Sequence, residues 1–313
     1  MSNDQRGKKI RTMVRTREDL KPYTGLEACQ IITGKLRQEA FLANYHQLKV
    51  NYSGAVEFQL RRQLVLLCPQ TADFMYRHFT PIRVDYQIGS RPALEALVEE
   101  VTDGLEKECE QALSLMRFCR DLYKRNWSRN FDSYVYGGTE EQLIEKGEEL
   151  CECLGRLFVA LCEIAGIPGR IVMHVIGGHI VSEVYLDGGW AYIDPRAGLY
   201  FVKPDGQLAS TWELWKNPEL LRSQDERVRA EVSERFTWEE RIWVCEHKYF
   251  HPKEVTGFMN YSLADAHRYT YAQTTQQQAT EAGLWTINER YRKLTNRIFG
   301  LAGRFCYRSG RHR

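Results

Sequence analysis

An α+β fold, with a cysteine-bearing helix packed on an antiparallel sheet, is what the middle of this sequence predicts. Three observations predict it. From Cys151, apolar residues recur at helical spacing through Leu154, Leu157, Phe158, Leu161, Cys162 and Ala165. Three short β-like runs follow, Arg170–Val175, Ile180–Leu186 and Trp190–Ile193. The last two are joined by Asp187-Gly188-Gly189, a strong hairpin signal. The remaining sequence reads as N-terminal and C-terminal extensions of this unit.

Taken in order, residues 1–22 read as a basic flexible arm and 23–90 as an N-terminal mixed α/β region. Within that region Thr24–Phe41 looks helical. Gln47–Tyr52 and Ile82–Tyr86 alternate polar and apolar residues, and Leu64–Pro69 is an apolar run, so the three read as β-like and a small β-rich or mixed region is expected. The core is expected over 91–208. Ser90-Arg91-Pro92 opens a helix there, with proline in its first turn. Leu94, Leu97, Val98 and Val101 form its stripe, Gly104 interrupts, and Ala112, Leu115, Met116, Cys119 and Leu122 form the next. Asn126–Tyr136 is a polar, aromatic loop, and Thr139 with Gln142 fits a capping box. The Cys151 helix ends at Gly166, and Pro168 blocks continuation. Beyond Pro195, Leu199–Val202 is β-like and Pro204-Asp205-Gly206 is a turn. A mainly helical C-terminal extension is expected over 209–313, with caps at Ser210 or Thr211 and at Ser223 and a helix over Thr275–Phe299.

The chemistry concentrates in the core. Cys151 falls in the first turn of its helix, where unpaired backbone N–H groups favour an anion and lower a thiol pKa from about 8.5 toward about 3.5–7.5. Glu148, Glu149 and Glu152 oppose this, so a cationic histidine has to outweigh them. With a two-residue loop at Asp187-Gly188, Leu186 pairs with Gly189 and Val181 with Asp194. His179 then lies one diagonal step, about 7–8 Å between backbones, from Asp194 on the same face. Glu183, Tyr185, Trp190 and Tyr192 share that face, while Ile180, Val184, Leu186, Ala191 and Ile193 take the other.

The run Cys151–Arg170, ending Ala-Gly-Ile-Pro-Gly-Arg, resembles the core of transglutaminase-like (papain-like) cysteine enzymes, of the bacterial-type transglutaminase core. Gly178-His179 before Glu183-Val184-Tyr185-Leu186 resembles that family's histidine strand, and Gly189-Trp190 before Ile193-Asp194-Pro195 its Trp-to-Asp-Pro strand. Glu149 stands where the family usually has glycine. The resemblance implies Cys151 as nucleophile, His179 as base and Asp194 as the acid that orients it. It implies acyl transfer or hydrolysis at an amide through a thioester, with a peptide, protein or small amide as substrate and water or an amine as acceptor. The alternative is a catalytically silent module that binds a peptide or protein. Asn126 and Trp127 are candidates for a second oxyanion donor, Glu183 for lining the cleft and Trp190 for shielding it.

Other residues have plainer readings. Cys153, Cys162 and His174 read as structural and Asp187 as turn chemistry. His247 and His251 would share a helix face but lack a third ligand, so no metal is expected, and no cofactor. A net charge of +2 gives no case for nucleic acid, and no apolar run is long enough for a membrane. The first residues have no apolar centre, so no secretory signal is expected. Nine scattered cysteines without a C-x-x-C pair point to a reducing cytoplasm and away from structural zinc.

Overall fold

The computed structural model describes residues 13–25, 28, 34–52, 54–79, 84–125 and 136–301. Before the core come α1 (Lys35–Tyr52), α2 (Val56–Arg61), β1 (Val65–Leu66) and α3 (Pro69–Phe74). The core itself runs α4 (Pro92–Thr102), α5 (Glu108–Asp121), β2 (Tyr136–Gly137), α6 (Glu140–Lys146), α7 (Cys151–Ile164), β3 (Gly169–His174), β4 (His179–Leu186) and β5 (Gly189–Asp194). After it follow β6 (Leu199–Tyr200), α8 (Thr211–Lys216), α9 (Glu226–Arg229), α10 (Trp238–Val244), β7 (Thr256–Met259), β8 (Gln273–Thr274), α11 (Gln276–Glu281) and α12 (Leu284–Phe299). The fold is α+β, as expected.

Six antiparallel strands form the main sheet in the order β1-β7-β3-β4-β5-β6. The expected hairpin is present. Asp187 and Gly188 both have positive φ, 51° and 85°, as the two central residues of a type I′ turn require. That turn pairs Leu186 with Gly189 and carries the register on to Ser182 opposite Ile193. Register matters because a one-residue slip would turn His179 to the other face.

Both faces of the sheet are buried. Val184, Leu186, Ala191 and Ile193 pack with α4, α5 and α7 through Leu94, Leu115, Leu157 and Phe158. On the same side Ile171, Met173 and Ile180 meet Phe41 of α1 and Ile298 and Phe299 of α12. Val172, Val181 and Tyr192 point the other way, into Phe74, Phe201, Ile242 and Phe250. Strand alternation thus feeds two cores, not one core and a wet face.

Helix replaces strand before residue 90. Gln47–Tyr52 is the last third of α1, because that helix lies along α12 and tertiary packing overrides a short alternating pattern. Leu64–Pro69 supplies only the two residues of β1, and the described part of Ile82–Tyr86 forms no strand. The helix expected over Thr24–Phe41 begins at Lys35. Arg91, not Ser90, is the N-cap of α4, with Pro92 at its first position. The arm up to residue 12 and the loop 126–135 lie outside the described residues. No helix among the described residues is long and apolar enough to cross a membrane.

Candidate active site

Cys151 is the first residue of α7 and is partly buried. Its N-cap, Leu150, has no side-chain acceptor, so the first N–H groups of the helix keep their pull on an anion. One turn on, Gly155 lies on the same helical face. A Cβ there would meet Ile180 Cγ2 at 3.1 Å, and Ser182 Oγ donates to the Gly155 carbonyl at 3.1 Å. The missing side chain brings α7 hard against β4 and sets Cys151 beside His179.

The imidazole lies close enough to the thiol for each to favour the charged form of the other. His179 Nε2 lies 2.7 Å from Asp194 Oδ2, which leaves Nδ1 for the thiol. Asp194 is fully buried and fully engaged. Its Oδ1 accepts the N–H groups of Arg196 and Ala197 at 3.0 and 3.1 Å, and its Oδ2 also accepts from Arg241 Nη2 at 3.2 Å. Burial alone would raise this carboxyl's pKa, but the His179 charge and hydrogen bond, then Arg241 and Ala197, hold it below the usual range. Burial pulls the His179 pKa down, yet the Asp194 charge and hydrogen bond, with Cys151, push it up to about 9. For Cys151 burial raises the pKa, and the His179 hydrogen bond and charge more than reverse it, so the thiol is net acidified. A thiolate–imidazolium pair is the state these forces favour.

The acidic neighbours are each occupied elsewhere. Glu148 Oε1 accepts the N–H groups of Glu149 and Leu150 at 2.8 and 3.0 Å, and its Oε2 pairs with Lys146 at 2.9 Å. Glu149 points outward to Arg235 at 3.3 Å. Glu152 pairs with Arg61. Of the three, Glu152 still opposes acidification of the thiol, and Arg196 assists it.

Two of the cleft candidates lie elsewhere. Glu183 is fully buried opposite Arg170 on β3, which donates Nε and Nη2 to Oε2 at 2.8 and 2.6 Å; Tyr76 and the Thr211 N–H serve Oε1. It is a core ion-pair residue and does not line the cleft. The opposed charges at 170 and 183 were a readable signal, because cross-strand partners of opposite sign attract. Trp190 does not shield the site. It is four residues from Asp194, about 13 Å along the strand. It covers the Arg170 guanidinium at 4.1 Å and lines a cavity of about 290 Å³ at the hairpin end with Trp212 and Lys203. Asn126 and Trp127 lie outside the described residues.

Cys153 and Cys162 are buried, and burial pushes both thiols well up. His174 pairs with His179 across β3 and β4 and stacks on Tyr249 at 4.9 Å, as His179 does at 4.8 Å. Burial, with His179 nearby, pulls its pKa down to about 3, so it stays neutral. His247 stacks on Trp243 and His251 against Phe299, so the two imidazoles serve separate contacts. Among the described residues no group of three ligating side chains could hold a metal. Arg241 escaped the sequence reading. Its signal was a charge on the stripe Trp238, Arg241, Cys245, which is otherwise apolar.

Residues 95–195 match the family model of the transglutaminase-like superfamily. No curated protein and no solved structure gave a significant match. The matched segment contains Cys151, His179 and Asp194 and ends just past the last of them. The segment 95–195, about a third of the chain, is thus similar to the transglutaminase-like superfamily.

Proposed function

We propose that the protein is a cysteine-dependent acyltransferase or amide hydrolase. One observation carries the reading: a thiol at an uncapped helix start is acidified by an imidazole whose Nε2 is held by a buried carboxylate at 2.7 Å. Cys151 Sγ, as thiolate, attacks an amide carbonyl carbon. The oxyanion that forms is met by the Cys151 N–H, and such a donor is worth about 3–4 kcal/mol. His179 gives its proton to the leaving nitrogen, the C–N bond breaks, and a thioester on Cys151 remains. Water or an amine, deprotonated by His179, then releases the acyl group. Asp194 keeps its proton count throughout and supports the imidazolium.

The test is a mass-spectrometric search for an acyl adduct on Cys151 after incubation with peptide and amine libraries. An adduct of substrate mass on the Cys151 peptide, absent from Cys151→Ala, is expected. No adduct, together with iodoacetamide labelling of Cys151 as slow as that of Cys153 and Cys162, would leave a silent peptide-binding module instead.

A further inference from the structure

The turn that delivers His179 to the site, Val175–Gly178, is held by groups from outside the matched segment. Glu254 Oε1 accepts the Ile176 N–H at 2.8 Å and its Oε2 accepts the Gly177 N–H at 2.6 Å. The Tyr291 hydroxyl, from α12, lies 3.0 and 2.6 Å from the carbonyls of Val175 and Ile176. Asn44 Nδ2, from α1, donates to the Val175 carbonyl at 3.2 Å. The grip is close. A Cβ on Gly178, whose φ is +70°, would lie 2.7 Å from the Tyr291 oxygen, and one on Gly177 would lie 3.1 Å from Glu254 Oε2 and 2.9 Å from the Tyr249 ring.

We propose that Glu254 and Tyr291 are positioning residues for His179, fixing the Gly177-Gly178 turn so that the imidazole meets Cys151 and Asp194 together. The inference rests on reading that trio as the catalytic one. Two successive glycines have wide backbone freedom, and the imidazole must satisfy two partners on opposite edges of its ring. A small drift of the turn would break one of those bonds. Both clamps bind backbone atoms, so they constrain the turn without touching the reacting atoms.

The clamp is also sensitive to pH. Burial pushes the Glu254 pKa up to about 8, against the pull of the Ile176, Val255 and Gly177 N–H groups and of Lys248. The other ionisable groups around it are Tyr249, His251 and Lys253 on its own segment, Arg37 of α1, Tyr291 of α12, Tyr23 and Cys68 beside it, and His174 and His179 beyond the turn. Protonation takes one acceptor away from two adjacent N–H groups, so the turn is fully gripped only when Glu254 is ionised.

The experiment follows the rate of iodoacetamide labelling of Cys151 in the full chain, resolved by peptide, from about pH 5 to about pH 10. For the unaltered protein two rises are expected: one as the thiolate forms, and a second near pH 8 as Glu254 ionises. In Glu254→Gln the second rise should vanish, and labelling on its alkaline side should fall by about ten- to a hundredfold. Tyr291→Phe should label more slowly but keep the second rise. A Glu254→Gln profile that superimposes on the unaltered one overturns the proposal. Should that variant lose its circular-dichroism signature, an unchanged rate in Tyr291→Phe overturns it instead. If Cys151 of the unaltered protein shows no early rise and labels no faster than Cys153 or Cys162, the nucleophile reading itself falls and takes this inference with it.

Discussion

Asp194 accepts four hydrogen bonds, and the one to His179 decides the behaviour of the thiol. Asp194→Asn keeps the shape and removes the charge. The His179 pKa should then fall from about 9, and the onset of Cys151 labelling should move up toward the ordinary thiol value of about 8.5. Labelling rate against pH reads this directly, and an unmoved onset would contradict it. Acyl transfer should rise as Cys151 ionises and decline as His179 loses its proton near pH 9. The stability linkage has the same sign. A histidine raised by its partners contributes fully below about pH 6.5, and the contribution is lost as pH climbs through about 9. These three residues were legible in the sequence because they fall within 44 positions, and a two-residue turn fixes the register of two of them. Glu254 and Tyr291 were not legible, because each reaches the site from a distant part of the chain, and the charge of Arg241 on an apolar stripe marked a buried cation without naming its partner.

At the scale of elements, α7 and the β4–β5 hairpin carry the site, and their closeness depends on Gly155. Gly155→Leu should force α7 off β4 at a cost of about 1–3 kcal/mol. Thermal unfolding would show the cost, and Cys151 should lose its labelling advantage over Cys153 while the fold persists. Between β3 and β4, Arg170 is fully buried, with Glu183, Tyr76, Trp190 and Phe258 around it. Arg170→Met leaves Glu183 without its cation, and a broken buried pair costs about 3–5 kcal/mol. Urea denaturation of this variant beside Arg170→Met/Glu183→Gln should show the double variant to be the more stable of the two. The helices and the hairpin of the core were readable because caps, glycines and apolar period agree there. The N-terminal region was misread where a six-residue alternation competed with a long helix whose partner, α12, lies more than two hundred positions away.

For the molecule as a whole, the matched segment is completed by residues from outside it. β3 pairs with β4 on one side and with β7, from outside the match, on the other. The face bearing Val172, Val181 and Tyr192 is covered by residues before 80 and after 195. Residues 95–195 expressed alone should therefore expose that face, bind a hydrophobic dye and elute as oligomers. A monomeric, cooperatively folding fragment would refute this.

The pairing of β3 with β7 bears on how such a core travels between proteins. Ile171 to His174 each face a residue of Met259 to Thr256, so lifting the core out bares a row of amides and carbonyls that another copy can claim. Any graft of this core into a foreign host must bring a substitute for that lost neighbour, or the transplant will find one in its own twin.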